Sequence, residues 1–242
     1  MNLNLDPRPY AVAARLASVR RTIAVSGFKG GVGKSSVASL LALASTDCGR
    51  KTGLLDLDFS GASCHLILGV SPGPGAAFPD EIEGLRPPEA HGVRFMSLAF
   101  FTQDRAVHLR GKEVADVVME LLAVTNWGEL DVLYLDMPPG ISDAALEVMR
   151  LMPDIEVVGV LTPSVLSRSL AFRALRFSEQ SGVKTAGVIE NFADDAAEGV
   201  DTAEGFKVLA RLPYDEGFEA ALGDVARLRQ TKPYRVLGKA AI

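Results

Sequence analysis

Ser26-Gly27-Phe28-Lys29-Gly30-Gly31-Val32-Gly33-Lys34-Ser35 lies between an apolar run, Thr22 to Val25, and an apolar periodic segment that continues to Ala44. Strand, glycine loop and helix in that order make a cradle for phosphate groups. The glycines let the chain turn tightly, so that the N–H groups of Gly30, Gly31, Val32, Gly33, Lys34, Ser35 and Ser36 can converge on phosphate oxygens. Lys34 then supplies a point charge for the β and γ phosphates, and Ser35 offers a hydroxyl to magnesium. The strict pattern G-x-x-x-x-G-K-S/T wants glycine at position 28, where this chain has Phe28. What is present is a deviant form, K-G-G-x-G-K-S, with an additional lysine at Lys29.

Moving outward, Thr52 to Leu57 is a second apolar run and carries Asp56-Leu57-Asp58 at its end. In a parallel strand these carboxylates emerge at the carboxyl edge, and alternation puts Asp56 and Asp58 on one side, above the loop. A helical segment is expected from Ser60 to Leu68. Val132-Leu133-Tyr134-Leu135-Asp136-Met137-Pro138-Pro139-Gly140 is a third strand ending in an aspartate and a stiff turn. Asp136 is placed to hold magnesium through water, and Gly140 to offer its N–H to the γ-phosphate. Two prolines fix φ between them and remove two donors.

The remaining chain alternates strand and helix, predicting an α/β fold in one domain over residues 1–242. Its mostly parallel central sheet has seven or eight strands, with helices on both faces. Strands are expected at 22–27, 52–57, 93–98, 131–136, 155–161, 184–189 and 206–212, and helices at 34–47, 112–124, 142–150, 165–180 and 215–230. An amphipathic lead-in helix is read from Tyr10 to Arg20, within a 1–20 leader. Residues 71–90 carry five prolines mixed with glycines and acids, and read as an irregular loop beside the nucleotide or on a partner surface.

With 25 Lys plus Arg against 30 Asp plus Glu, the formal net charge of −5 weighs against a sequence-independent hold on nucleic acid. Hydrophobic content of 48% and mean hydropathy of +0.20 come without an uninterrupted apolar stretch of membrane-spanning length. Met1 to Pro9 lacks an apolar signal core, so a cytoplasmic protein without membrane attachment is expected. The two cysteines, Cys48 and Cys64, are expected to be buried thiols of a reducing compartment. Cys64 and His65 could bind nickel but point apart as neighbours, so a buried cysteine and a helix-surface histidine are expected; His91 and His108 are weaker candidates still.

The Lys29-to-Ser35 loop, the Asp56-Leu57-Asp58 strand end and the Asp136 strand together resemble the Mrp/MinD/ParA branch of P-loop ATPases. The resemblance implies ATP and Mg2+ as cofactors, a homodimer when ATP is bound, and Lys29, Lys34 and Asp58 as catalytic residues. In this reading Lys29 reaches the partner's phosphates and Asp58 stands beside the attacking water. Ser35, Asp56 and Asp136 serve magnesium. Gly187-Val188-Ile189-Glu190-Asn191 resembles the segment whose asparagine reads adenine, an assignment consistent with the donors and acceptors of an amide. Leu212-Pro213-Tyr214-Asp215 resembles the loop that closes over the base through Pro213. A positioning role of the ParA or MinD kind stays open; Arg168, Arg173 and Arg176 could form part of a basic face for DNA but are expected to be a solvated or salt-bridged surface, and Pro233 and Gly238 leave too little terminal helix for membrane attachment.

The stretches LLDLDFSGASCHLILG (residues 54–69) and RGKEVADVVMELL (residues 110–122), followed by the Trp127 segment, look closest to the archaeal Mrp/MinD-type HypB proteins. That similarity implies nickel insertion into [NiFe] hydrogenase with a HypA-like metallochaperone as partner. An iron-sulfur carrier or assembly ATPase of Mrp type is the alternative, although no cysteine follows Cys64 to supply the C-x-x-C such carriers use.

Overall fold

Strands that lie inside a sheet covered on both faces must be apolar throughout rather than alternating, and the runs around the three motifs are of that kind. The computed structural model describes residues 6–72, 78–102, 109–193 and 202–239. Among these, nine strands form one sheet, in the order Thr202–Ala203, Phe206–Pro213, Lys184–Ala193, Glu156–Leu161, Thr22–Gly27, Val132–Asp136, Thr52–Asp56, Val93–Ser97 and Glu89–Ala90. The seven inner strands are parallel, and a two-residue antiparallel strand closes each edge. Every residue of Thr52–Asp56 and Val132–Asp136 is buried. Their register pairs Asp56 with Asp136, so the two motif aspartates leave the sheet side by side.

Helices Lys34–Asp47, Lys112–Val124, Asp143–Leu151 and Val165–Gln180 form within a residue of the expected limits. Ser142 caps the third by accepting the Ala145 N–H. Lys34–Asp47 is buried over most of its length, Val37 through Ser45 without a break, because it is enclosed between the sheet and the C-terminal helix Lys232–Leu237. Tyr134 and Ser45 share a buried hydroxyl hydrogen bond of 2.8 Å that pins the far end of this helix to the sheet.

Several expectations require correction. The lead-in helix is Arg8–Leu16, since Val19 bridges to Leu130 and Arg20 donates to the Leu130 carbonyl, making an extra rung of sheet. Between 215 and 230 there is no continuous helix. A turn at Glu219–Ala221 and a short helix Val225–Leu228 are separated by Gly223, whose φ of +81° ends one and lets Asp224 cap the other. The segment expected to be helical from Ser60 narrows to Cys64–Ile67, because the N–H groups of Ser63 and Cys64 are drawn to the Asp56 carboxylate. Residues 71–90 are more regular than their prolines suggest: Asp80–Glu81 pairs with Leu85–Arg86 through a turn at Glu83 and Gly84, and Glu89–Ala90 is the sheet edge. Residues 73–77 of that segment lie outside the described ones. Cys48, expected to be buried, is exposed at the end of the Lys34–Asp47 helix, and His65, expected on a helix surface, is buried.

Gly69 joins the short helix to the C-terminal segment. Its φ is +66°, and a Cβ there would stand 2.3 Å from the Gly223 carbonyl oxygen, which the chain cannot move without breaking the Gly223 N–H bond to Ile67. Gly69→Ala is therefore expected to destabilise the fold by about 2 kcal/mol or more, read as a lower midpoint in urea denaturation. Gly182→Ala, at a site with similar φ but open space, should cost less.

Candidate phosphate site at the carboxyl edge of the sheet

The loop after Thr22–Gly27 turns on Gly31 and Gly33, with φ of +78° and +81°. Both lie in the left-handed region that glycine enters without a Cβ penalty. Gly33 is required twice over, since a Cβ there would fall 2.2 Å from the Asn191 amide nitrogen. Phe28, in the place of the missing glycine, packs half-buried against the core and does not prevent the loop from closing. A cavity opens over the loop, lined by Lys29 through Ser36 and by Asp58, Ser63 and Pro139. The helix that starts at Lys34 points its free N–H groups into this cavity, which favours an anion.

The Lys34 side chain does not extend freely into the cavity. Its ammonium donates to Asp136 Oδ1 at 2.6 Å and to Ser35 Oγ at 3.2 Å, and lies 3.5 Å from Asp58 Oδ2. Lysine and Asp136 are both buried, so their opposite charges interact with little screening. Burial acts to lower the Lys34 pKa, but the charge and hydrogen bond of Asp136, followed by Cys64 and Asp58, raise it above the usual lysine range. Asp136 is pushed up, chiefly by burial and against the pull of Lys34. Asp56 is pushed up to about 7, first by burial and then by the neighbouring Asp136 charge, although it accepts N–H groups from Asp58, Ser63 and Cys64.

The structure thus brings Lys34, Ser35, Asp56, Asp58 and Asp136 together, as expected. Asp56 and Asp58 differ in setting: Asp56 is sealed beneath the turn, whereas Asp58 lines the cavity and accepts the Ser60 hydroxyl at 3.1 Å. Ser35, Asp56 and Asp136 supply hard oxygen donors around a point where a buried ammonium stands, a donor set that fits magnesium. Lys29 is exposed at the cavity rim, clear of this cluster. The Gly140 N–H, expected to face a γ-phosphate, donates instead to the Gly27 carbonyl at 2.9 Å, tying the proline turn to the loop's root.

A second cavity lies on the other side of the loop helix, lined by Ser36, Asn191, Phe192, Pro213, Tyr214 and Asp215 among others. It unites Ser36, Asn191 and Pro213, which are far apart in sequence. One Asn191 amide N–H is donated to the Val32 carbonyl at 2.9 Å, so this residue steadies the loop and keeps its oxygen and second N–H for a ligand. Sequence reasoning did not single out Phe192 or Tyr214, whose rings stand 6.1 Å apart at this mouth. Phe192 adopts φ of +58°, rare for a bulky side chain. Nor did it foresee that Cys64 donates to Asp136 Oδ2 at 3.4 Å. His91 approaches the Leu68 carbonyl at 3.2 Å rather than any metal-ligand group, and His108 lies outside the described residues. Arg168 is paired with Glu190, and Arg176 with Glu204, which makes these two arginines part of a salt-bridged surface.

Comparison with known proteins agrees with this geometry. The ParA family described as NUBPL iron-transfer P-loop NTPase matches residues 18–216. The iron-sulfur cluster carrier protein of Pseudomonas fragi is 35% identical over 232 residues, covering 88% of this chain and 80% of that protein. The protein of the same name from Synechocystis is 38% identical over 183 residues, covering 74% of this chain; the chain spans 51% of its length. Among solved structures, the nucleotide-binding protein of Archaeoglobus fulgidus in complex with ADP, in which cobalt was found, superposes with a TM-score of 0.72 at 29% identity over 94% of this chain and 95% of that one.

The raised Asp56 pKa makes a pH prediction for the metal-free protein. An acid whose pKa is higher folded than unfolded contributes stability at low pH that is lost as pH rises toward the folded value. In chelator-treated protein, stability referred to Asp56→Asn should therefore fall between pH 4 and pH 7, with a slope of up to about 1.4 kcal/mol per pH unit. Urea denaturation of both proteins across that range checks it, and parallel curves would remove the assigned burial effect.

Proposed function

Because the chain belongs to the NUBPL iron-transfer P-loop NTPase family, we propose that it is a Mg2+-dependent ATPase, dimeric when loaded with ATP, that drives iron-sulfur cluster assembly or delivery on a client protein. The observation that carries the ATPase reading is the buried Lys34 ammonium held between Asp136 and Asp58 beneath a glycine loop. A triphosphate entering the cavity offers Lys34 a denser negative charge than Asp136 does, and the ammonium can pass from one to the other by turning its side chain. Asp136 and Asp56 are then left as paired carboxylates that call for a divalent cation. Ser35 directly, and Asp56 and Asp136 through water, would hold magnesium, which would supply neutralisation of the charge on the phosphates.

Asp58 lines the cavity and carries a Ser60 hydrogen bond that orients its carboxylate, which suits it to align a water with the terminal phosphate. Lys29 is exposed at the rim and serves the partner's site on closure. Exposed apolar side chains support a protein surface here: Ile141 and Val165, the latter 84% exposed, both follow the carboxyl ends of strands beside the loop. Asn191 and Pro213 border the cavity that would take the adenine. The helices of the described residues are too short or too polar to cross a membrane.

Iron-sulfur chemistry, the alternative above, is preferred to nickel insertion because the matched relatives bear that name. Cys64 is buried, and Cys48 lies at the other end of a 14-residue helix, ~20 Å from the loop. The client or another partner therefore supplies the cluster's thiolates.

Asp58→Ala is expected to keep calorimetric binding of Mg-ATP while lowering turnover by about 100-fold or more. Lys29→Ala should likewise bind but hydrolyse poorly, and full activity in that variant would count against a cross-subunit role. With a cluster donor and an apo iron-sulfur protein, ATP and this chain should together speed the rise of cluster absorption. Equal rates with and without the chain would overturn the assembly reading while leaving ATP hydrolysis to be judged by phosphate release.

A further inference from the structure

Magnesium chemistry leaves one buried group of the phosphate site without a purpose, the thiol of Cys64. Its sulfur and the carboxylate oxygens of Asp56 and Asp136 come from three different elements, lie within 4.8 Å of one another, and are all buried. Cys64 Sγ is 3.4 Å from Asp136 Oδ2. Two such ligands bound to one tetrahedral ion, at the usual metal-oxygen and metal-sulfur lengths, stand about 3.6 Å apart. The Lys34 ammonium, 8% exposed, stands 2.6 Å from the other Asp136 oxygen and holds the positive charge that a metal at this cluster would have to replace.

Magnesium takes oxygen ligands in octahedral array and has no use for sulfur. Ions that accept a thiolate and carboxylates together in a tetrahedral site are zinc and the divalent metals near it, such as cobalt. While Lys34 rests on Asp136, its charge repels a metal. Once Lys34 turns to a bound triphosphate, the two carboxylates are uncompensated and the thiol stands ready as third ligand. We propose that Asp56, Cys64 and Asp136 form a nucleotide-gated site for a thiophilic divalent cation of the Zn2+ or Co2+ kind, competing there with magnesium. This rests on the ATP-binding reading above. On binding, the Cys64 S–H bond breaks, a sulfur-metal bond forms, the proton leaves to solvent, and no electron is transferred.

The test uses the full chain with Cys48→Ser, titrated with Co2+ with and without a non-hydrolysable ATP analogue. A thiolate-to-cobalt charge-transfer band is expected with the nucleotide and at least about tenfold weaker cobalt binding without it. Adding Cys64→Val should abolish the band. A band that survives Cys64→Val, or none in nucleotide-bound protein, overturns the assignment. Should Cys64→Val fail to fold, zinc X-ray absorption on the Cys48→Ser protein decides: a sulfur neighbour at about 2.3 Å supports the site, and an all-oxygen shell refutes it. Calorimetry with Mg2+ and the same analogue separates the two claims. Heat without sulfur ligation sinks the metal site alone, whereas absence of heat sinks the ATPase reading and the gate with it.

Discussion

A lysine ammonium buried to 8% exposure beside a carboxylate that is fully buried is a costly arrangement unless each compensates the other, and the architecture around Lys34 and Asp136 is what makes the compensation hold. Asp136 ends a strand in the middle of the sheet, where both faces are covered, so its position is fixed by the hydrogen-bond ladder rather than by its own packing. Lys34 opens a helix whose far end is pinned by the Ser45 and Tyr134 hydroxyls. With both ends rigid, the pair can be relaxed only by a competing anion at the lysine or a competing cation at the aspartate. A nucleoside triphosphate with its metal offers both at once, which is why this geometry suits a switch better than a permanent structural salt bridge.

The switch is mechanically joined to distant parts of the chain. Asp56 gathers the N–H groups of Ser63 and Cys64 and so sets the start of the Cys64–Ile67 helix. The other end of that helix accepts the Gly223 N–H at the Ile67 carbonyl, and Gly69 lies against the Gly223 backbone. From there the C-terminal segment returns through Lys232, whose N–H is held by Asp215 at the mouth of the second cavity. On the near side, Asn191 grips the loop at Val32. The phosphate cavity and the aromatic-edged cavity thus share backbone supports, directly through Asn191 and less directly through the Cys64–Ile67 helix and the C-terminal segment packed on it.

Most of this was legible in the sequence where the determinant is local. Glycines that need positive φ, an apolar strand that ends in a carboxylate at the edge of the sheet, and a helix opened by Lys34 each carry their reason within a few residues. Hence the parallel sheet and the convergence of Lys34, Ser35, Asp58 and Asp136 could be read directly. What escaped depended on contacts distant in sequence. Nothing in Leu57-Asp58-Phe59 says that the Asp56 carboxylate will accept the N–H groups of Ser63 and Cys64, which shortens the expected helix. Nothing near Gly140 says that its N–H will find Gly27. The 215–230 periodicity looked helical because Gly223 reads as a tolerable interruption until its neighbour proves to be the Ile67 carbonyl. Residues 78–90 looked irregular because proline counts say little about pairing when the partner strand can use carbonyls alone, as Pro88 does with Phe95.

The function proposed above requires an ATPase with two cysteines to serve a thiolate-bound cluster. Cys64 faces Asp136 within the core and cannot reach a client without unfolding the Asp56 turn; Cys48 is exposed but stands at the opposite end of the loop helix. A cluster held by this chain alone would lack both ligands and proximity to the nucleotide. On the proposed reading the energy of ATP binding would be available instead at the loop face, since Lys29 and Pro139 line the cavity and the exposed Ile141 and Val165 follow strands that end at the same edge of the sheet. Under the function proposed above, closure of two such faces would change the spacing and charge of a surface shared by both protomers, and a partner bridging them would meet that change as a different fit for its own cysteines. The division of labour proposed here follows: this chain supplies the geometric change, and the partner supplies the sulfur.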